Sequence, residues 1–233
     1  MKRFYRIVTV TPDSGIALDG RPVRTPGRAP LVAPTAALAD AIAAEWDAQG
    51  DEIDPRSMRF TGLANAAIDR VAPDAAGFAS GLATYGESDL LCYRADHPAA
   101  LAARQARAWD PLLDWATRRY DVAFAVTAGV VHVAQPTATI ERLAAATAAH
   151  DAFALAGLSP LVTISGSLVA ALAIADRAID GASIWQAVTV DERWQAEKWG
   201  EDALAMAAQE ARRVEFLDAA RFLALASQAA ATG

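Results

Sequence analysis

The chain changes character once. Up to about residue 75, short alternating apolar runs are interrupted by prolines and tight-turn pairs; beyond Pro73 the composition becomes Ala-rich and the period helical. An alternation of two builds a sheet face and a repeat near 3.6 builds a helix face, so one uniform architecture cannot satisfy both stretches. The expectation is an α+β fold. Residues 1-75 would form a small β-rich domain with a packed helix, and residues 76-233 a mainly α-helical, orthogonal-bundle domain. With 233 residues, 54% of them apolar and 21% charged, the chain is long enough and hydrophobic enough to bury a real core.

In the first part, Phe4 to Val10 and Ile16 to Leu18 read as strands. Asp19-Gly20 is a two-residue hairpin signal, because both positions tolerate positive φ. Val23 and Leu31-Val32 continue the sheet, with Pro22, Pro26 and Pro30 confining them to an edge. Thr35 then caps a helix on which Leu38, Ile42 and Trp46 share one face, and Gly50 ends it. On that reading Trp46 is a core residue, while Glu45, Asp47 and Gln49 form the exposed face. A loop with Pro55 leads to a short helix over residues 62–71.

In the second part, Pro98 opens a helix with Leu101, Gln105 and Trp109 on one face. Asp110-Pro111 reads as a fresh N-cap followed by a first-turn proline. Val122 to Val133 alternates around Ala128-Gly129 as a short hairpin would. Thr139 to His150 is helical, and Leu161 to Ala175 predicts one nearly all-apolar buried helix. Ser183 is expected to cap the segment carrying Ile184, Val188, Glu192, Gln195 and Trp199. A terminal helix covers Leu204 to Leu225, and its Ala-rich end, residues 226–233, is expected to fray.

The chemistry this sequence offers is sparse. A net charge of −7 argues against nucleic acid and against anionic membrane surfaces, both of which need a basic patch. The longest apolar run, Leu168 to Ala175, is far short of a membrane span, and the first ten residues read as a strand rather than a signal peptide. A cytoplasmic protein without membrane insertion is expected. The single cysteine, Cys92, excludes an internal disulfide and a multi-Cys zinc site, and its apolar setting suits an inert thiol. His97, His132 and His150 lie on separate elements without metal-ligand spacing. Ser165-Gly166-Ser167 lacks the strand-to-helix context of a nucleophile elbow and reads as helix packing. No metal and no cofactor are expected. Asp89 is either a catalytic carboxylate or a structural one, capping Leu90 to Arg94 or pairing with Arg94. Glu192 is either a solvated helical glutamate or, beside Trp194 and Trp199, part of a binding surface where aromatic anchors dominate.

The remaining special positions form an ordered series. They run from Leu18-Asp19-Gly20-Arg21 with Thr25-Pro26, through Glu45-Trp46-Asp47-Ala48-Gln49, Pro55 with Met58, and Thr61 to Asp69. Tyr85 with Asp89 to Arg94 follows, then Gln105 with Trp109-Asp110-Pro111, and Gln195 with Lys198-Trp199-Gly200. Along nearly the whole chain this series resembles the assembly chaperone family for the α subunit of the F-type ATP synthase catalytic sector. The resemblance implies a two-part fold, no catalysis, and a client: the free α subunit, shielded on the surface it later presents to β and released when β competes. It carries the family's important acidic position onto Glu192, in Asp191-Glu192-Arg193, where Arg193 interrupts the acidic run. Glu192, Gln195 and Trp199 are accordingly the expected partner-binding residues, and Trp46, Asp89 and Trp109 the structural supports. A monomer is expected. Where the family often has further acids after Trp-Gly, this chain has the apolar Leu204 to Ala208, expected to pack rather than recognise. The rivals are a small cytosolic hydrolase or transferase using Asp89 or Glu192, and a general holdase.

Overall fold

A computed structural model describes residues 1–200 and 202–227 of the chain. Its N-terminal part is a three-stranded antiparallel sheet of β1 (Val8–Val10), β2 (Ile16–Leu18) and β3 (Arg21–Pro22), with Val8 opposite Leu18 and Val10 opposite Ile16. Asp19 (φ 48°) and Gly20 (φ 76°) make the expected two-residue turn. The Asp19 carboxylate also accepts from the backbone of Ile7 at 2.9 Å and Arg6 at 3.1 Å, bracing the hairpin from outside. β1 is shorter than its alternation suggested. The residues before it are diverted to the loop after the first helix, where Ile53 N donates to Met1 O and Arg3 N to Asp51 O.

Helix α1 (Ala36–Asp47) starts at Thr35, whose Oγ1 accepts from Leu38 N. Its inner stripe, Leu38, Ala39 and Ile42, is fully buried, but Trp46 is only half-buried. The neighbours of Trp46 do not form an exposed face. Glu45 accepts from Phe60 N (2.7 Å), Thr61 N (2.8 Å) and Thr61 Oγ1 (2.8 Å), so it caps α2 (Arg59–Ala66) from a different helix. Gln49 is buried and ties Glu45 O, Ser57 Oγ and Asp54 N together. Only Asp47 of the three lies outside. Helical spacing alone could not show that the loop containing Pro55 folds back over this face.

A wide turn, Ala67–Val71, leads from α2 to α3 (Ala75–Ala83). Strand β4 (Tyr93–Arg94) pairs in parallel with β5 (Thr127–Ala128), so the segment expected as a hairpin over Val122 to Val133 joins the chain before α4 instead of folding on itself. Helix α4 (Ala99–Tyr120) runs unbroken through Pro111, which corrects the expected restart at Asp110-Pro111. Then follow α5 (Thr137–Ala148), α6 (Ala152–Ser165), α7 (Leu168–Ala175), α8 (Gly181–Val188), α9 (Val190–Trp199) and α10 (Ala203–Ala226). The single apolar helix expected over Leu161 to Ala175 is two. Gly166, at φ 70°, ends α6, and Ser167 caps α7 by accepting from Ala170 N. Residues 228–233, most of the end expected to fray, lie outside the described part.

Three buried clusters result among the described residues, the smallest of them Tyr5, Leu18, Ile53 and Met58. Of the two larger ones, one centres on Ile16, Leu31, Leu38, Ile42 and Phe60; the largest gathers Trp109, Leu143, Leu158, Leu172 and Phe216. The C-terminal half of α10 serves both of these. Phe216 and Leu223 enter the largest cluster, while Phe222 enters the one around Ile16, 6.4 Å from the Phe60 ring and stacked 6.3 Å from Phe153. Gly157 lets α10 approach α6 this closely. A Cβ there would stand 2.8 Å from Leu223 Cγ and 3.1 Å from Phe222 Cδ1.

Candidate functional site

Helix α8 is capped by Asp180, which accepts from Ser183 N at 2.9 Å and Ser183 Oγ at 2.7 Å, so the cap lies three residues before the expected Ser183. The buried Thr189 then separates α8 from α9, and the segment expected as one helix bends there. Three contacts seat these helices on α4. Trp109, fully buried, donates from Nε1 to Ala187 O at 2.7 Å, with the Arg94 guanidinium 4.9 Å from its ring centroid. Gln105 donates to Asp191 Oδ1 at 2.7 Å while its own Oε1 accepts from Ala95 N. Arg104 forms a two-pronged ion pair with Glu197. The stripe Gln105–Trp109 is therefore a mount for α8 and α9.

Beyond Trp199, Gly200 adopts φ 88° and ψ 169°, a conformation that a side chain at this position would resist. Asp202 caps α10. The chain thus turns back and lays the first half of α10 opposite α8 and α9, leaving an open groove of about 1030 Å³. Glu192, Gln195 and Trp199 all line it, facing Ala205, Met206 and Arg212. Arg212 lies 3.4 Å from Glu192 Oε1, a loose pair with both side chains part-exposed. Trp199 is 78% exposed, Leu204 82% and Met206 47%, so Leu204 to Ala208 does not pack against the body as its apolar character suggested. In this 24-residue helix the first six residues, Ala203 to Ala208, are apolar yet uncovered. Sequence reasoning missed Met206 and Arg212; the available signal was an apolar stretch beside Trp199 with no periodic partner.

Asp89 lies elsewhere. It is fully buried, accepts from Leu91 N (3.0 Å) and Val169 N (2.9 Å), and so ties the turn at residues 90–92 to the start of α7. Burial pushes its carboxyl up to about 6. The neighbouring Cys92 thiol is pushed up to about 12, by burial first and by Asp89 second, which makes it the inert thiol its setting implied.

A model of the ATP12 chaperone protein family matches residues 2–117. Paracoccus denitrificans Atp12 is 42% identical, with a TM-score of 0.90 over 97% of this chain and 98% of its own. A mutant form of the same protein matches at 42% identity and 0.91, covering 97% of each chain. The chain belongs to the ATP12 chaperone family. The Agrobacterium tumefaciens protein Atu1473 superposes at 0.88 with 40% identity, over 95% of this chain and 84% of its own. As an ATP12 family member the molecule is an ATP synthase assembly chaperone, and the recognition drawn from the ordered motifs holds, as does the α+β fold class. The matching structures extend over both the sheet and the groove.

Proposed function

We propose that this ATP12 chaperone binds the free α subunit of the F-type ATP synthase in the groove between α8–α9 and α10. Glu192, Gln195 and Trp199 are its partner-binding residues; Trp46, Asp89 and Trp109 hold the fold around them. The observation that carries this is one uncovered surface: Trp199, Leu204 and Met206, largely exposed, beside Glu192 and Gln195. A free α subunit displays the apolar face meant for β, an obligate interface prone to aggregation. Covering it with a matching apolar groove, and yielding it when β competes for the same surface, takes binding energy alone. The chaperone accordingly works without catalysis, metal or cofactor, as a monomer in the cytoplasm.

The competing acid–base reading finds little support at either carboxylate. Asp89 has no solvent-facing surface, and its oxygens are taken by backbone N–H groups. Glu192 faces Arg212 on an open surface, and among the described residues the other carboxylates lining the groove are Asp202 and Glu210, which belong to the opposite wall.

The test is a pair of surface variants. Glu192→Lys and Trp199→Ala should each melt within about 1–2 °C of the wild type, since neither side chain is buried, and each should lose capture of purified α subunit. Unfolding by either variant, or full capture by both, would remove the groove from the account.

A further inference from the structure

Charge is unevenly distributed along this chain. Lys2, Arg3, Arg6, Arg21, Arg24 and Arg28 stand against only Asp13 and Asp19 in the first 33 residues, so this stretch carries +4 while the remainder carries −11. Both acids are already engaged. Asp13 accepts from the Thr11 hydroxyl, and Asp19 accepts from the backbone of Arg6 and Ile7. The side chains of Arg6, Arg21 and Arg28 form no hydrogen bond or ion pair among the described residues, and Arg24 bonds only to Arg28 O. Arg3 is the exception, paired with Asp47. Further along, among the described residues, Arg59, Arg94, Arg104, Arg119, Arg142, Arg212 and Arg213 sit in ion pairs and the other arginines do not, so the first stretch is set apart by its net charge.

Two of these cations stand at a pocket of mixed polar and apolar lining. Arg21 and Arg24 line a surface depression of about 540 Å³ together with Phe4, Leu18, Val23, Trp46 and Asp19. Phe4 is 65% exposed, and Ile7, close by in the chain, is 61% exposed. An aromatic ring left in water beside two guanidinium groups that form no ion pair among the described residues makes an amphipathic surface of defined sign.

We propose that this pocket is a second docking site, for an acidic polypeptide segment that sets an apolar side chain against Phe4 and its carboxylates against Arg21 and Arg24. Charge complementarity selects that occupant. A nucleic acid would need a row of phosphate contacts, whereas the pocket offers two guanidinium groups, one carboxylate and apolar walls, on a molecule of net charge −7. The site lies on the sheet and α1, on different elements from the groove, and stands whether or not the groove binds the α subunit.

Fluorescence anisotropy with the whole chain tests it, using a fluorescein-labelled dodecapeptide that alternates Glu with Phe or Leu. Saturable binding that weakens with added salt is expected. The double variant Arg21→Glu/Arg24→Glu should bind about tenfold or more weakly, and Trp199→Ala should bind as the wild type does. A matching thermal melt for the double variant ascribes its loss to charge; should it melt lower, the neutral pair Arg21→Gln/Arg24→Gln takes its place with the same expectation. The proposal is overturned by no saturable binding, by equal binding to the charge variants, or by tighter binding of a length-matched single-stranded oligonucleotide or of phosphatidylserine vesicles.

Discussion

Glu45 and Asp89 show how much a single side chain decides in this molecule. Each is an acid drawn out of water, and each spends its oxygens on backbone N–H groups at the start of a helix it does not belong to. Replacing Glu45 by Ala would leave the first N–H groups of α2 unmet, at a cost of about 1–2 kcal/mol, readable by urea denaturation. Asp89 makes a pH prediction with a definite sign. Its carboxyl is raised from an ordinary 3.8 to about 6 by burial, so the folded chain holds a proton that the unfolded chain has lost. Between those values the native state binds more protons, and the group's contribution to stability falls as pH rises from about 4 through about 6. The difference in melting temperature between wild type and Asp89→Asn should therefore change across that window and level off above it. A flat difference would assign Asp89 an ordinary titration. Trp46, by comparison, is half-buried, and its indole Nε1–H is buried without an acceptor among the described residues. Its ring meets Tyr5 edge-on at 5.7 Å, and truncation to Ala should cost about 3 kcal/mol, the low end for a large aromatic.

At the scale of elements, the parts legible from sequence were those governed by local rules. The Asp19-Gly20 turn, the Thr35 cap and the terminal helix over residues 204–225 follow from φ preference, side-chain capping and helical period, and the structure places them as expected. Where the reading failed, a distant contact had overridden a local signal. Pro111 sits on the exposed side of an unbroken α4 whose other face, with Gln105, Trp109, Leu112, Leu113 and Ala116, is buried, although its local neighbourhood reads as a helix start. Gly166 divides an apolar run that carries no helical break in its hydrophobicity, only in its backbone. Glu45 and Gln49 look solvated until the Pro55 loop is folded over them. The site followed the same division. The motif series drew attention to Glu192, Gln195 and Trp199, but nothing local told that Gly200 turns α10 back to face them with Met206 and Arg212. The contact between α6 and α10 gives the sharpest test at this scale. Gly157→Ala pushes a methyl into Leu223 and Phe222, and should destabilise by about 1–3 kcal/mol in chemical denaturation. A neutral result would mean that the two helices can part without loss.

The whole molecule is organised around one long helix with two duties. The second half of α10 fills the two larger hydrophobic clusters, through Phe216, Phe222 and Leu223. Its first half stands clear and forms one wall of the groove. The wall is therefore anchored by the buried half of the same helix, which suits a surface that stays uncovered without collapsing onto its own body. Ending the chain after Glu215 would strip aromatic side chains from both clusters at once. The loss should exceed the stability of an ordinary domain, and the truncated chain should be insoluble or show no cooperative melt. Among the described residues no helix is long and apolar enough to cross a membrane, and the partner proposed for the exposed face of α10 is the α subunit. Capture of individual subunits measures that most directly. The tagged chaperone would be mixed separately with purified α subunit, purified β subunit and assembled ATP synthase catalytic sector, and the bound fraction weighed. Retention of α alone, with release on adding β, is the predicted result. Equal retention of α and β, or retention of the assembled sector, would contradict it.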